Sequence, residues 1–351
     1  YILSDKLDCK LKKEAKALKS FGADVTLYER GEKFIDKAAI KVPGMASFDP
    51  LKFLASLPVN FDIYENTRVT SCDFKRKIVY AGEIEVKAEK IIIATNFPIV
   101  NFPGLYFLRM YKSTSYAAAV SRAKKLEGLY QDVSESGYTL RNLDDKAIVG
   151  GLDHRTGRLD DDKKYEKLSR KAKIISDNGT ITHMWSSNDC ITFDALPFVG
   201  RYGMRTKDVY VITGFNKYGM ANAMTASRLI RNLIDNRPDR YKNLFKPQRI
   251  TCVFNFFRNF LCVLKNLVLL PLLPSLKCAS KLKSGDGAIV MLGAKKRAVY
   301  KDENGNLHVL RAYCPHLKCL LTFNKVDKTW DCPCHGSRFD IDGNIISEPA
   351  V

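Results

Sequence analysis

Two short runs near the C-terminus combine thiols and imidazoles at ligand spacing. Cys314-Pro315-His316-Leu317-Lys318-Cys319 is followed, with fifteen residues between His316 and Cys332, by Cys332-Pro333-Cys334-His335-Gly336-Ser337. Each run offers one Cys-plus-His pair, as C-x-H and as C-x-x-H. Two thiolates on one iron and two imidazoles on the other describe a [2Fe–2S] cluster of mixed ligation. Exchanging two anionic ligands for neutral ones lifts the reduction potential from about −400 mV, the all-cysteine plant-type value, to roughly −150 to +300 mV. The rival is tetrahedral Zn²⁺, which also accepts a Cys₂His₂ set. Zinc fingers usually pair Cys with Cys and His with His, whereas both pairs here are mixed. The cluster is therefore the leading expectation. Cys314 and Cys332 are assigned to the inner iron, and His316 and His335 to the outer one as an exposed exit for electrons.

The double run, CPHLKC and CPCHGS, resembles the high-potential Rieske proteins of quinol-oxidising complexes. The resemblance implies a Cys319–Cys334 disulfide that ties the two cluster loops together. It also implies a hydroxyl donor to cluster sulfur at Ser337 and a shielding loop at Pro349. Phe339 stands where the high-potential members carry tyrosine, so one donor is missing and a potential below the top of the range is expected. The flanks suit a small β module. Ala288–Met291 and Ala298–Tyr300 read as strands, Asn304-Gly305 as a hairpin turn, and Leu307–Leu310 as the returning strand. Asp342-Gly343 marks a further turn. The module is expected to occupy 277–351.

With 351 residues the chain has room for about two domains. Its net charge of +19 raises the question of nucleic acid, an anionic membrane surface or an acidic partner. The lysines are scattered, however, and no zinc-finger, RNP-like or helix-turn-helix signature accompanies them, so nucleic acid is not expected. Solvated helix faces are the plainer explanation. Cys9, Cys72, Cys190, Cys252, Cys262 and Cys278 show no framework spacing and read as reduced thiols. With no secretory signal in the sequence, a cytoplasmic location is expected. Both ends, Tyr1 and Val351, read as cuts in a longer chain.

Strands and helices alternate through the first 240 residues, which predicts an α/β (α+β) fold. Leu7, Leu11, Ala15 and Leu18 share a helical face that ends at Gly22, and Val25–Tyr28 follows as a strand. Pro50–Leu57 suits a helix opening on an N1 proline. Ile78–Tyr80 and Ile84–Val86 form a hairpin around Ala81-Gly82, and Lys90–Thr95 reads as a buried parallel strand. Tyr116–Leu129 is expected to be helical, Ala147–Val149 a strand, the segment through Arg158 a polar loop, and 162–176 an amphipathic helix.

Further on, Asp194-Ala195-Leu196-Pro197-Phe198-Val199-Gly200 precedes Val209–Thr213 and the turn Gly214-Phe215-Asn216-Lys217-Tyr218-Gly219-Met220, which opens a helix to about Ile234. This order resembles the FAD-dependent oxidoreductases of the glycine oxidase and D-amino-acid oxidase group, and among them the bacterial members with a C-terminal Rieske domain. The resemblance implies FAD contacts at Val69, Ala94, Thr95, Gly214, Phe215, Gly219 and Met220. Glycines there let backbone approach a planar ring, and a helix N-terminus offers N–H donors to a pyrimidine that becomes anionic on reduction. A plain strand-helix turn is the alternative for these glycines. The chain departs from the family in one respect: no G-x-G-x-x-G follows a strand. FAD is therefore expected of the full-length protein, with a dinucleotide-binding loop lying before Tyr1. The oxidoreductase part is expected over 1–235.

Arg155, in Asp153-His154-Arg155, could clamp a substrate carboxylate, with His154 a weaker candidate. Both, like His183-Met184-Trp185, also suit structural roles. Residues 236–276 read as a linker with an amphipathic helix packed between domains, and a basic membrane-surface helix stands second. Arg258 and Lys265 interrupt its apolar run, so a membrane span is not expected and peripheral membrane contact is not favoured. The functional expectation is an enzyme that oxidises a small amine or amino-acid-like substrate (a CH–NH or CH–NH₂ donor) at FAD. Electrons would then pass singly through the cluster to an unidentified redox partner. The alternative is a non-catalytic electron carrier with a scaffold flavin fold. A Rieske oxygenase is disfavoured, because beyond the cluster only His154, His183 and His308 remain and none forms a close pair.

Overall fold

The computed structural model describes residues 8–28, 38–100, 102–133, 137–159, 161–249, 253–275 and 277–350. Leu7 and Cys252 lie outside them. The chain divides into two units: Tyr1–Asn60 with Ser115–Asp153 and Lys163–Ser187, and Phe61–Thr114 with His154–Asp162 and Asn188–Val351.

In the first unit the helix Asp8–Ser20 buries Leu11 and Ala15, one turn apart, as its periodicity predicts. It ends where Gly22 takes φ +82°. Thr26–Tyr28 and Ala39–Lys41 pair antiparallel. The helix Pro50–Ser56 begins as its proline predicts, with the Asp49 carboxylate accepting from the Leu51 and Lys52 amides.

A five-stranded sheet runs in the order Ile181–Thr192, Met110–Val120, Lys146–Arg155, Thr139–Leu143, Tyr130–Gln131. The ends Met110–Thr114, His154–Arg155 and Asn188–Thr192 are counted with the second unit. Two expectations fail here. Tyr116–Leu129 is not a helix: the strand Met110–Val120 runs through its first half, and turns and an isolated bridge follow. Ala117-Ala118-Ala119 has the composition of a helix, but the segment lies between two neighbouring strands with Tyr116, Ala118 and Val120 buried. Central-strand packing overrides alanine's propensity. The polar loop expected through Arg158 is also shorter, because the strand continues to Arg155 and carries His154 and Arg155 with it. The helix expected over 162–176 is found at Lys164–Ile174, burying Leu168 and Ala172.

The second unit holds the parallel pair Ile91–Ile93 and Val209–Thr213, with Phe198–Arg201 antiparallel on the far side of the latter. Ile92 is exposed, so the apolar run Ile91–Ile93 is buried on one face only. The hairpin predicted around Ala81-Gly82 is present. Beyond it lie a three-stranded antiparallel sheet, Gly287–Leu292, Lys295–Lys301 and Leu307–Arg311, and a four-stranded one built from Thr322–Asn324, Thr329–Asp331, Arg338–Phe339 and Ile345–Ser347. Trp330 is fully buried against Phe323, which stacks on Tyr300. Asp331, also buried, accepts from Asn324, Thr329 and Arg338, so this carboxylate is satisfied within the β module.

Between these parts runs a helical segment, Val253–Leu264, then one π-turn at Lys265–Leu269 and a last turn Leu270–Leu272. By length and composition alone Asn255–Leu272 could cross a membrane, despite the interruption at Lys265. Its packing is narrower than the expected interdomain helix. Asn259, Cys262, Val263 and Asn266 are buried, while Phe257, Leu261, Val268 and Leu272 face outward.

The central strand yields a stability test. Enlarging Ala118, which has no exposed surface, to leucine should cost about 1–3 kcal/mol by overpacking. The measurement is the urea midpoint at constant m-value, and an unchanged midpoint would count against the central placement of this strand.

Candidate functional site

Each cysteine-histidine run is a loop closed on itself. In the first, Cys314 N donates to Cys319 O and Lys318 N to Cys314 O, both at 2.9 Å, and a bridge joins Tyr313 to Leu320. In the second, Cys332 N donates to Ser337 O at 2.8 Å and Gly336 N to Cys332 O at 2.9 Å. The hairpin Thr322–Asp331 delivers Cys332, and Arg338–Phe339 carries the chain away. Cys319 and Cys334 form a disulfide across the two loops, with Cα atoms 6.7 Å apart. The sulfurs of Cys319, Cys332 and Cys334 lie within 4.8 Å of one another. Two of these are tied up in the disulfide, which leaves Cys332 and its hydrogen-bonded neighbour Cys314 as thiol donors.

The electrostatics suit metal ligation. The Cys314 thiol is pushed down to about 7, first by its hydrogen bond with Cys332 and then by the His316 and Leu317 amides and the Ser337 hydroxyl, against the effect of burial. Cys332 moves up, because the same shared bond and full burial oppose a second charge beside the first. The amides of His335 and Cys334 point at its sulfur. Burial pushes His316 down to about 4, and it also holds His335 well below its ordinary range, helped there by His316 and Arg155. Both imidazoles are thus held neutral, the form that binds metal. The two rings lie edge to face, centroids 5.1 Å apart. His335 has no exposed surface, and neither of its ring nitrogens has a hydrogen-bond partner among the described residues. A buried orphan of this kind costs about 1–3 kcal/mol unless something ligates it. The donor set fits a metal cluster.

A second arrangement lies where the strands Ile91–Ile93 and Val209–Thr213 end. Ala94, Thr95 and Asn96 are exposed at the first end, and Thr213 Oγ1 donates to Asn96 O across to the second. Gly214 turns the chain at φ +73°; a Cβ there would stand 2.4 Å from Thr192 Cγ2, so only glycine fits. The Asn216 side chain pins the turn, accepting from Thr192 N and donating to Gly214 O. Gly219 then opens the sixteen-residue helix to Ile234 and has nothing within 4 Å of its would-be Cβ. An exposed strand end at Ala94–Asn96, beside the Gly214 turn and an open helix N-terminus at Gly219, fits the edge of a planar anionic ring. Val69 is half-buried, as are Phe215 and Met220.

The description "FAD dependent oxidoreductase" matches residues 4–233, and "Rieske [2Fe-2S] domain" matches residues 275–351. The chain belongs to the FAD dependent oxidoreductase family. Its family implies FAD, and its Rieske domain implies a [2Fe–2S] cluster. It is 29% identical over 336 residues to YhfW of Bacillus subtilis (strain 168), a Rieske 2Fe-2S iron-sulfur protein by name, covering 90% of this chain and 65% of that protein. The chain thus spans just under two thirds of this relative's length. Its fold is similar to L-proline dehydrogenase from P. horikoshii (TM-score 0.61, 18% identity, 71% of this chain and 74% of that one). Glycine oxidase from Geobacillus kaustophilus is likewise similar (TM-score 0.57, 14% identity, 71% and 73%).

The Rieske domain's second loop is packed against residues of the FAD dependent oxidoreductase match, and this alters one expectation. His335 is not an exposed exit: it lies against the rings of Phe107 and Phe97, at 5.4 and 6.0 Å. Only His316 keeps partial exposure. Lys112, Gly157 and Arg68, to which no motif points, hold this arrangement. Lys112, 2% exposed, donates to Glu348 O at 2.6 Å and Ser347 Oγ at 3.1 Å, holding the loop that contains Pro349. Gly336 lies so close to Lys112 that a Cβ would meet its side chain at 2.4 Å, and Gly157 approaches Pro333 at 2.5 Å in the same sense. Arg68 donates to Ala350 O. At the far end of that loop Ala350 N donates to Ser337 Oγ at 3.0 Å, linking Pro349's neighbour to the hydroxyl that reaches Cys314.

The substrate candidates are placed less suggestively. The Arg155 guanidinium donates to Asn259 Oδ1 and lies over the Tyr111 ring, and His154 is buried on the same strand. His183, Met184 and Trp185 are exposed on a strand of the first unit.

Two substitutions test this site. Lys112→Met should lower stability by about 1–3 kcal/mol, leaving the Glu348 carbonyl and Ser347 hydroxyl without their donor, and should shorten the lifetime of the cluster's visible absorption in air. Ser337→Ala should lower the cluster's reduction potential in film voltammetry, since a hydroxyl donor to sulfur favours the reduced, more negative form. A potential that stays put or rises would remove Ser337 from this role.

Proposed function

We propose that the protein oxidises a small amine or amino-acid-like substrate, a CH–NH or CH–NH₂ donor, and passes the electrons singly to an external redox partner. When bound, FAD supplies two-electron acceptance from substrate and the [2Fe–2S] cluster supplies one-electron carriage. Cys314, Cys332, His316 and His335 are the proposed cluster ligands, and Ala94, Thr95, Gly214 and Gly219 the principal proposed backbone contacts to the flavin. Val69, Phe215 and Met220 complete that proposed set.

One observation carries the reading. Phe97 follows Thr95 by two residues and its ring lies against His335. A proposed flavin contact and the proposed buried cluster ligand are thus linked through one aromatic residue, two positions along the chain from the first and in ring contact with the second. Phe97 and Phe107 exclude water from His335, so no solvent reorganises around that imidazole. His316, half-exposed, is left to face the external partner. The amine class draws support from the names of the fold relatives, which speak of glycine and L-proline. Arg155 already has a protein partner in Asn259, which favours a structural role over a carboxylate clamp.

The experiment is anaerobic titration of the full-length protein with candidate amines and amino acids, following flavin bleaching and the reduced-cluster EPR signal together. Bleaching should be accompanied by the EPR signal, and Phe97→Ala should delay the second relative to the first. Full-length protein that releases no flavin on denaturation would instead establish the electron carrier with a scaffold fold.

A further inference from the structure

The helical segment Val253–Leu272 packs Cys262 and Val263 inward but leaves a second apolar stripe facing outward. Asn259, 1% exposed, and Asn266 sit on its buried face. There Asn259 Nδ2 donates to Phe107 O, and Leu320 N donates to Asn266 O at 3.2 Å. The π-turn at Lys265–Leu269 shifts the ladder to i→i+5, with Leu270 N on Lys265 O. The outward face carries Phe257, Leu261, Leu264, Val268 and Leu272, a stripe at helical spacing with exposures of 58%, 61%, 44%, 46% and 77%. Leaving such a stripe in water is unfavourable, and soluble proteins rarely expose one this continuous.

The sequence on either side of the stripe carries charge of one sign. From Arg240 to Gly285 there is no Asp or Glu, and there are nine Lys or Arg. Past the helix end a cavity of about 460 Å³ opens between Leu272, Leu273 and the run Lys295-Lys296-Arg297. Lys296 Nζ caps the helix C-terminus through Pro271 O at 2.9 Å. An apolar stripe flanked by lysines, with a basic cavity at its end, is the pattern of a helix lying in the headgroup layer of an anionic bilayer.

We infer that the face formed by the stripe from Phe257 to Leu272, with Lys295 and Arg297 beside its end, docks on an anionic phospholipid surface, with the helix lying in the interface. Although the segment is long and apolar enough to span, its opposite face is fixed by Asn259 and Asn266 to the protein, so it cannot leave the fold without exposing both. Neither substrate nor flavin enters this docking.

The test is flotation of the holoprotein with vesicles of phosphatidylglycerol and phosphatidylethanolamine, compared with vesicles of phosphatidylcholine alone. The protein should float with the anionic vesicles, more weakly in high salt, and at least about tenfold less with phosphatidylcholine. Leu261→Gln with Val268→Gln should weaken the anionic-vesicle binding at least about tenfold per side chain. Both positions are exposed, so an unchanged cluster absorption spectrum certifies the fold. Failure to float with the anionic vesicles overturns the inference, as does equal flotation of the double variant. Self-association without lipid, abolished by the double variant, also overturns it and assigns the stripe to a second copy.

Discussion

A lysine ammonium with almost no exposed surface must find its acceptors inside the protein, and Lys112 finds them in the loop at Ser347-Glu348. Burial lowers its pKa, and the charge is held by carbonyl, hydroxyl and the nearby Glu348 carboxylate. Because Lys112 sits on the strand Met110–Val120, this one side chain couples the oxidoreductase sheet to the Rieske loop. Its aliphatic stem matters equally, leaving room at Gly336 for a hydrogen atom only. Gly157 against Pro333 repeats the logic on the neighbouring loop. Close backbone approach at two glycines fixes distance, and the lysine fixes register. The hydrogen bond from Ala350 to Ser337 then carries that constraint to the Cys314 sulfur.

What could be read from the sequence followed from how locally each feature is determined. Thiols and imidazoles at ligand spacing are set by covalent geometry, so CPHLKC and CPCHGS announced the cluster loops directly. The disulfide and the role of Ser337 came through resemblance, and the structure brings these residues together. Hairpins marked by Ala81-Gly82 and Asn304-Gly305, and the capped helix at Pro50, were legible because turn chemistry acts over a few residues.

The misreadings share a cause. Ala117–Ala119 has helical composition, yet strand pairing with distant segments decides its state. The linker helix bonds to Phe107 and Leu320 and buries Val263, but the apolar stripe on its outward side gave no sign in the sequence of which face would be left bare. His335 was expected at the surface, as in an isolated Rieske module, and Phe97 and Phe107 cover it. Lys112 gave no signal because nothing in its neighbourhood distinguishes a buried lysine from a solvated one. All four depend on partners far away in the chain, where local pattern carries no information. The motif Asp194–Gly200 shows the same limit: Arg249, which grips Asp194 with two hydrogen bonds and lies over Phe198, is fifty-five residues away.

The two imidazoles therefore differ in a way that their proposed ligand roles alone do not require. His335 is dry, flanked by aromatic rings and held neutral by burial, whereas His316 retains contact with solvent. In a low-dielectric pocket, a change of charge beside His335 meets few mobile dipoles, so little reorganisation accompanies it. At His316 water can respond to charge and a partner surface can approach. A symmetric pair of exposed imidazoles would let electrons enter and leave by the same face and would leave the cluster open to adventitious oxidants. In the proposed electron path, covering one of them would separate the two directions. The covering residues belong to the oxidoreductase part and the covered histidine to the Rieske part, so such a separation would need both parts in one chain.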